Sequence, residues 1–72
     1  MSEVRAEMAA TVWKVVAKAG DRGGPDDVLV ILESMKMEIP VTAETTGTVT
    51  TLPVVEGALF QEGDVLAVLA QP

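Results

Sequence analysis

The sequence contains neither cysteine nor histidine among its 72 residues. Disulfide bonds, zinc sites built from Cys and His, thiol nucleophiles and histidine acid–base catalysis are therefore excluded. Aromatic residues are almost absent as well, since Trp13 and Phe60 are the only two. The core must then be aliphatic, and we expect Trp13 to be a structural residue near the surface.

Basic residues are also scarce, because five Lys and Arg stand against eleven Asp and Glu, for a formal net charge of −6. Nucleic acids bind to stripes of Lys and Arg, which this chain lacks, so no nucleic-acid partner is expected. No apolar run approaches the roughly 20 residues of a membrane span, and no signal-peptide pattern opens the chain. We therefore expect a cytoplasmic protein that does not bind membranes.

The chain is short, and 49% of its residues are hydrophobic, with a mean hydropathy of +0.37. Such a chain can form one small core but not an enzyme cleft with walls of its own. We predict a single domain over residues 1–72, a monomer with no catalytic residues. Because a predicted strand at residues 4–8 follows closely on Met1, we also expect a stand-alone protein.

The two halves of the chain resemble each other when the sequence is shifted by 37 residues. The shift places Val12 on Val49, Gly20 on Gly57, and residues 27–32 on residues 64–69. Each half predicts a strand pair, a glycine-containing turn and an apolar strand, so neither half can bury its hydrophobic face alone. The repeat therefore predicts one domain built from two related halves.

A hairpin with unusual turn chemistry is predicted near the middle of the chain. Residues 28–32 form an apolar run typical of a buried strand, and residues 37–44 alternate apolar and polar as in a half-buried strand. Met35 and Lys36 stand at the turn, where Asn-Gly, Asp-Gly or Gly-X is usual because positive φ otherwise costs roughly 1 to 2 kcal/mol per residue. This departure indicates that something other than folding selected the two residues.

Strand parity predicts the direction of the side chains at the tip. Lys36 has the same parity as Glu38, on the strand face predicted to point outward, so its ammonium is expected in solvent. Met37 has the same parity as Ile39, on the strand face predicted to point toward the core. From these patterns alone, a solvated lysine beside core-filling methionines explains the segment as well as a modified lysine does.

Residues 33–38, Glu-Ser-Met-Lys-Met-Glu, followed by Gly-Thr-Val at residues 47–49, resemble the attachment motif of the biotinyl domain family. This family comprises the biotin carboxyl carrier domains of biotin-dependent carboxylases and is related to the lipoyl domains. The resemblance extends from about Val4 to Leu69. It implies an all-β fold, a flattened barrel of two small antiparallel sheets related by a pseudo-twofold axis.

The resemblance also implies that Lys36 carries covalent biotin through an amide formed by a biotin protein ligase. The biotin would take up CO2 as carboxybiotin at a biotin carboxylase and yield it at a carboxyltransferase, so both subunits are implied partners. Met35 and Met37 would complete the biotin site. Glu33 and Glu38 are either hydrophilic flanks of the hairpin or part of the surface that the ligase recognises. The equal spacing of the halves leaves no room for the inserted thumb of some carriers.

Three alternatives remain open from the sequence. A lipoyl carrier would share the fold, although lipoyl domains usually have Asp-Lys-Ala at the tip. A biotin acceptor without a dedicated carboxylase would also be biotinylated on Lys36 but would serve no particular carboxylase. An amine-reactive protein would use Lys36 as a Schiff-base nucleophile, which requires a desolvated lysine of lowered pKa.

Overall fold

The computed structural model describes residues 2–71, which form eight β-strands and no helix. The strands are β1 Ser2–Arg5, β2 Ala10–Val15, β3 Arg22–Gly23, β4 Val28–Ser34, β5 Met37–Thr42, β6 Gly47–Thr51, β7 Leu59–Phe60 and β8 Val65–Ala70. The all-β prediction is confirmed. Within residues 2–71, no helix is long and apolar enough to cross a membrane.

Two of the predicted strands end earlier than the sequence suggested. The strand predicted at residues 4–8 spans Ser2–Arg5 instead, and the Ala6 N–H that follows it donates to Asp64 O at 2.9 Å. The strand predicted at residues 37–44 stops at Thr42, and Glu44 adopts a positive φ of 63°.

The strands form two four-stranded sheets, in the orders β1-β8-β6-β3 and β5-β4-β2-β7, and every paired strand is antiparallel. Side chains alternate along the strands, so one face of each sheet contributes to a shared aliphatic core. Its most deeply buried large side chains come from both sheets: Val12, Val30, Val49, Leu66 and Leu69. No polar or charged side chain is buried among the described residues.

The predicted duplication is present in the strand pairing. The pair Val4↔Ala67 in β1–β8 has its counterpart in Val41↔Val30 of β5–β4. The β2–β4 and β6–β8 ladders likewise each contain a register shift at equivalent positions. Each half therefore builds the same unit, and the two units close one core.

Reciprocal hydrogen bonds join the halves at two glycines. The Gly20 N–H donates to Val49 O at 2.7 Å, and the Gly57 N–H donates to Val12 O at 2.8 Å. Both glycines have φ near 90–99°, a conformation that a side chain disfavours.

The place of the β4–β5 hairpin is taken in the other half by the two ends of the chain. Ser2 pairs with Leu69, and the Gln71 side-chain amide donates to the Ser2 hydroxyl at 2.9 Å. These contacts hold β1 beside β8 as the hairpin turn holds β5 beside β4.

Candidate attachment site at the β4–β5 hairpin

The hairpin turn is formed by two non-glycine residues with positive φ. Ser34 pairs with Met37, and between them Met35 and Lys36 have φ values of 53° and 65°. Positive φ at both central residues is the geometry of a type I′ turn, which normally contains Asn-Gly. Each such residue costs about 1 to 2 kcal/mol, so the sequence-based expectation of a strained tip is confirmed.

Replacing Met35 and Lys36 together by Asn and Gly should stabilise the domain. The exchange lowers the cost of positive φ at two positions, each about 1 to 2 kcal/mol, and every 1 kcal/mol gained corresponds to a rise in Tm of about 4–8 °C in a domain of this size. Met35→Leu is the matched control, because it keeps the strained backbone and should leave Tm unchanged. Thermal unfolding of the three proteins tests this, and an Asn-Gly variant that melts no higher would contradict the strain.

The Lys36 side chain is exposed. No carboxylate among residues 2–71 forms an ion pair with its ammonium, since the one ion pair found there joins Arg5 and Glu3. The amine is therefore accessible to another protein. A Schiff-base nucleophile would need a desolvated lysine, and this tip does not provide one.

The two methionines beside Lys36 are both outside the core. Met35 is 92% exposed and Met37 is 66% exposed. The prediction that Met37 faces the core is therefore wrong. Ile39 and Val41, which have the same parity as Met37, do pack against the core, but the core ends before the hairpin tip. Core packing therefore does not explain either methionine.

Glu33 and Glu38 face each other directly across β4 and β5 and are both exposed. Directly opposed like charges destabilise a sheet, and neither carboxylate forms an ion pair within the described chain. Like the positive φ at the turn, this pair of opposed carboxylates destabilises the folded domain. The stability of the fold therefore does not explain why both residues are glutamate.

The acidic pair belongs to a row of exposed side chains that crosses the whole sheet. Glu33 also pairs with Thr11 on β2, and Thr11 pairs with Leu59 on β7. We call Leu59, Thr11, Glu33 and Glu38 the outer row; it lies one residue pair from the hairpin turn. No sequence pattern points to Thr11 and Leu59, because strand pairing between distant segments brings them to the acidic pair.

Trp13 lies beside the outer row. The register of β2 against β4 shifts between Val12 and Lys14, which makes Trp13 the unpaired residue of a bulge. Val12 is buried in the core, whereas Trp13 is 48% exposed, so the indole lies on the outer face. This position agrees with the expectation that Trp13 is near the surface.

The hairpin is suited to presenting a covalently attached group rather than enclosing one. A groove of about 210 Å³ lies between β1, the β1–β2 connection and β5, and a second of about 320 Å³ adjoins the end of β2. Neither is lined by Met35, Lys36 or Met37. Among residues 2–71, no group of three or more acidic side chains could hold a metal ion. The free amine of Lys36 fits an amide-linked cofactor.

Comparison with known proteins agrees with this geometry. The family model described as "Biotin-requiring enzyme" matches residues 1–69. The biotinylated protein TB7.3 homolog of Mycobacterium leprae is 52% identical over 68 residues, covering 94% of this chain and 96% of that protein. The biotin/lipoyl attachment protein of Bacillus subtilis is 46% identical over 67 residues, covering 93% and 92%.

A solved structure gives the same result for the fold. The urea carboxylase of Kluyveromyces lactis superimposes with a TM-score of 0.90 and 32% identity. The match covers 96% of this chain but 6% of the carboxylase, so it concerns a single domain of that enzyme.

Proposed function

This chain belongs to the family of biotin- and lipoyl-attachment domains, and on that premise we propose that Lys36 is the residue that carries its biotin. The chain is a biotin carrier domain, and its relatives are named as biotinylated or biotin-attachment proteins. The observation that carries the assignment to Lys36 is its position at an exposed, strained hairpin tip between two exposed methionines. We further propose that residues 1–72 act as a single domain.

Attachment uses the amine of Lys36 as the nucleophile. After Nζ loses a proton to solvent, it would attack the carboxyl carbon of a biotinyl group that a biotin protein ligase holds as a mixed anhydride with phosphate; the amide would form and the phosphate-containing group would leave. Exposure of the tip lets the ligase reach the amine, and the short turn holds its Cα in place. No catalytic group of this chain is required.

When attached, biotin supplies a ureido nitrogen that accepts and releases a carboxyl group. This chain contributes the tether, which raises the effective concentration of the group at the enzymes it visits. The related domain in a urea carboxylase supports biotin carboxylase and carboxyltransferase subunits as partners. Met35 and Met37, as exposed apolar side chains beside Lys36, would contact those enzymes, and they distinguish this tip from a lipoyl tip.

Intact mass spectrometry tests the proposal. The purified chain is incubated with ATP and either biotin plus a biotin protein ligase or lipoate plus a lipoate ligase. We expect one biotinyl group per chain, mapped to Lys36 by peptide analysis. Modification at another residue would contradict the site, and lipoylation without biotinylation would contradict the cofactor.

We also expect the attached biotin to remain mobile. The tip offers few contacts, and immobilising a long flexible arm costs about 0.5 to 1.5 kcal/mol per rotamer-rich side chain. Amide spectra of the unmodified and biotinylated forms should therefore differ only at about residues 34–38. Shift changes at residues 12–16 or 49–52 would show instead that the ring docks on the barrel.

A further inference from the structure

Within residues 2–71, the two sheets have four edge strands, β1, β3, β5 and β7. β3 and β7 contain two residues each, and such short edges pair poorly with another strand. β1 carries Glu3 and Arg5, which form an ion pair on the surface, and charged side chains discourage pairing at an edge. β5 is the longest of the four edges, with six residues, and Glu38 is its only charged residue.

The composition of β5 favours pairing with a further strand. Ile39, Val41 and Thr42 are β-branched, a type that is enriched in strands. β5 ends its sheet, and the groove of about 210 Å³ separates it from β1, so no other segment of residues 2–71 pairs with its free side. Unpaired N–H and C=O groups on such an edge form a template for another strand.

The register of the hairpin shows which β5 residues direct their backbone groups to the free edge. In an antiparallel pair, opposed residues alternate between hydrogen-bonded and non-hydrogen-bonded pairs. The residues that flank a two-residue turn form a hydrogen-bonded pair, which here is Ser34 with Met37. Alternation from that pair gives Glu38, Pro40 and Thr42 as the residues whose backbone groups point away from β4.

Pro40 is the middle residue of this set, and it has no N–H to donate. A strand that forms two neighbouring hydrogen-bonded pairs with β5 must use position 40, because 40 lies between 38 and 42. Pro40 is also exposed, so its ring stands at the free edge where another backbone would approach. One residue therefore obstructs every strand addition that is longer than a single pair.

Charge repulsion at the edge does not perform the same task. In a symmetric pairing of two β5 strands centred on position 40, Glu38 would lie opposite Thr42 of the second copy. The two Glu38 carboxylates would not be directly opposed, so the usual cost of opposed like charges is absent. The same register would bring residue 44 of the second copy beside Lys36, and the hairpin tip would be crowded.

We propose that Pro40 keeps the β5 edge closed to a second copy of this chain, so that the carrier stays a monomer with an accessible hairpin tip. A second copy is the strand donor to be blocked, because it offers an edge of the same length in a self-complementary register. The consequence for the tip rests on the function proposed above, whereas the closed edge does not.

Sedimentation equilibrium of Pro40→Thr over a range of concentrations tests the proposal. Threonine restores the N–H, favours strands and is polar, so the variant should approach about twice the monomer mass as concentration rises, while the wild type keeps the monomer mass. Pro53→Thr is the matched control, because Pro53 is also exposed but lies outside the strands. It should remain monomeric.

Two synthetic chains isolate the role of the edge N–H. Pro40→Ala and a chain with N-methylalanine at position 40 both lack the ring, and they differ only in whether the backbone nitrogen carries hydrogen or methyl. The alanine chain should associate and the N-methylalanine chain should not. In the associated form, amide exchange should slow at residues 38, 40 and 42, which locates the contact at the free edge. Thermal unfolding checks that each chain is folded.

The rate of biotinylation links the edge to the tip. At concentrations where most Pro40→Thr chains are paired, their rate of labelling should fall about twofold or more below that of the wild type, and dilution should restore it.

A Pro40→Thr chain that stays monomeric at every concentration would overturn the proposal, as would equal association of the alanine and N-methylalanine chains. Paired chains that are labelled as fast as the wild type would refute crowding of the tip. Failure of the wild type to become biotinylated would instead overturn the proposed function, and the mass measurements do not depend on that result.

Discussion

Lys36→Arg is expected to abolish biotinylation completely while leaving the fold unchanged. Arginine keeps the charge and much of the length of lysine, but its guanidinium stays protonated and does not form the amide. The side chain at this position is exposed, so no packing is lost. Streptavidin binding and intact mass measure the label, and an amide spectrum like that of the wild type reports the fold.

The control for this experiment uses the other lysines of the chain. Lys14 and Lys18 are exposed as well, but they lie outside the hairpin turn. The double variant K14R/K18R should be labelled as fully as the wild type. Label that persists in Lys36→Arg and disappears in K14R/K18R would sink the assignment of the site.

Gly47→Ala is expected to destabilise the domain by a large fraction of its total stability. A Cβ at this position would lie 2.7 Å from the carbonyl oxygen of Ala70 and 3.4 Å from the Leu69 Cβ. The contact is with the backbone of β8, which is held between β1 and β6, so it cannot move away cheaply. Overpacking of this kind costs about 1–3 kcal/mol, and a core this small rarely supplies more than roughly 3–5 kcal/mol.

Gly24→Ala is the control, because a Cβ there would meet only Asp27 Oδ2, at 4.0 Å, which is ordinary contact. The bond from the Gly24 N–H to that oxygen, at 2.7 Å, would remain. Denaturant unfolding should therefore give a much lower midpoint for Gly47→Ala and a nearly unchanged one for Gly24→Ala. Equal midpoints would show that the sheet can adjust around position 47.

The strain at the tip and the repulsion at the acidic pair both oppose folding near the same lysine. Met35 and Lys36 have positive φ without being glycine, and Glu33 opposes Glu38. A domain selected for stability alone would remove both at little cost. Their presence together at one hairpin supports selection for contact with other proteins.

The sequence by itself determined the features that depend on local pattern. Alternation and apolar runs predicted the strands at residues 28–32 and 37–44, and turn chemistry singled out Met35 and Lys36. The repeat at 37 residues predicted two equivalent halves, because equal spacing along the chain carries over to equal strand register. The strand and turn patterns each involve only a few neighbouring residues, and the repeat is visible when the sequence is aligned with itself.

Only the tertiary structure decided which distant residues become neighbours. Leu59 reaches the acidic pair through Thr11, because two antiparallel pairings join segments that are far apart in sequence. Parity indicated the side of the strand for Met37 but not its exposure, which depends on where the core ends. Sheet order and core extent arise from packing between the halves, and packing between distant segments leaves no local pattern in the sequence.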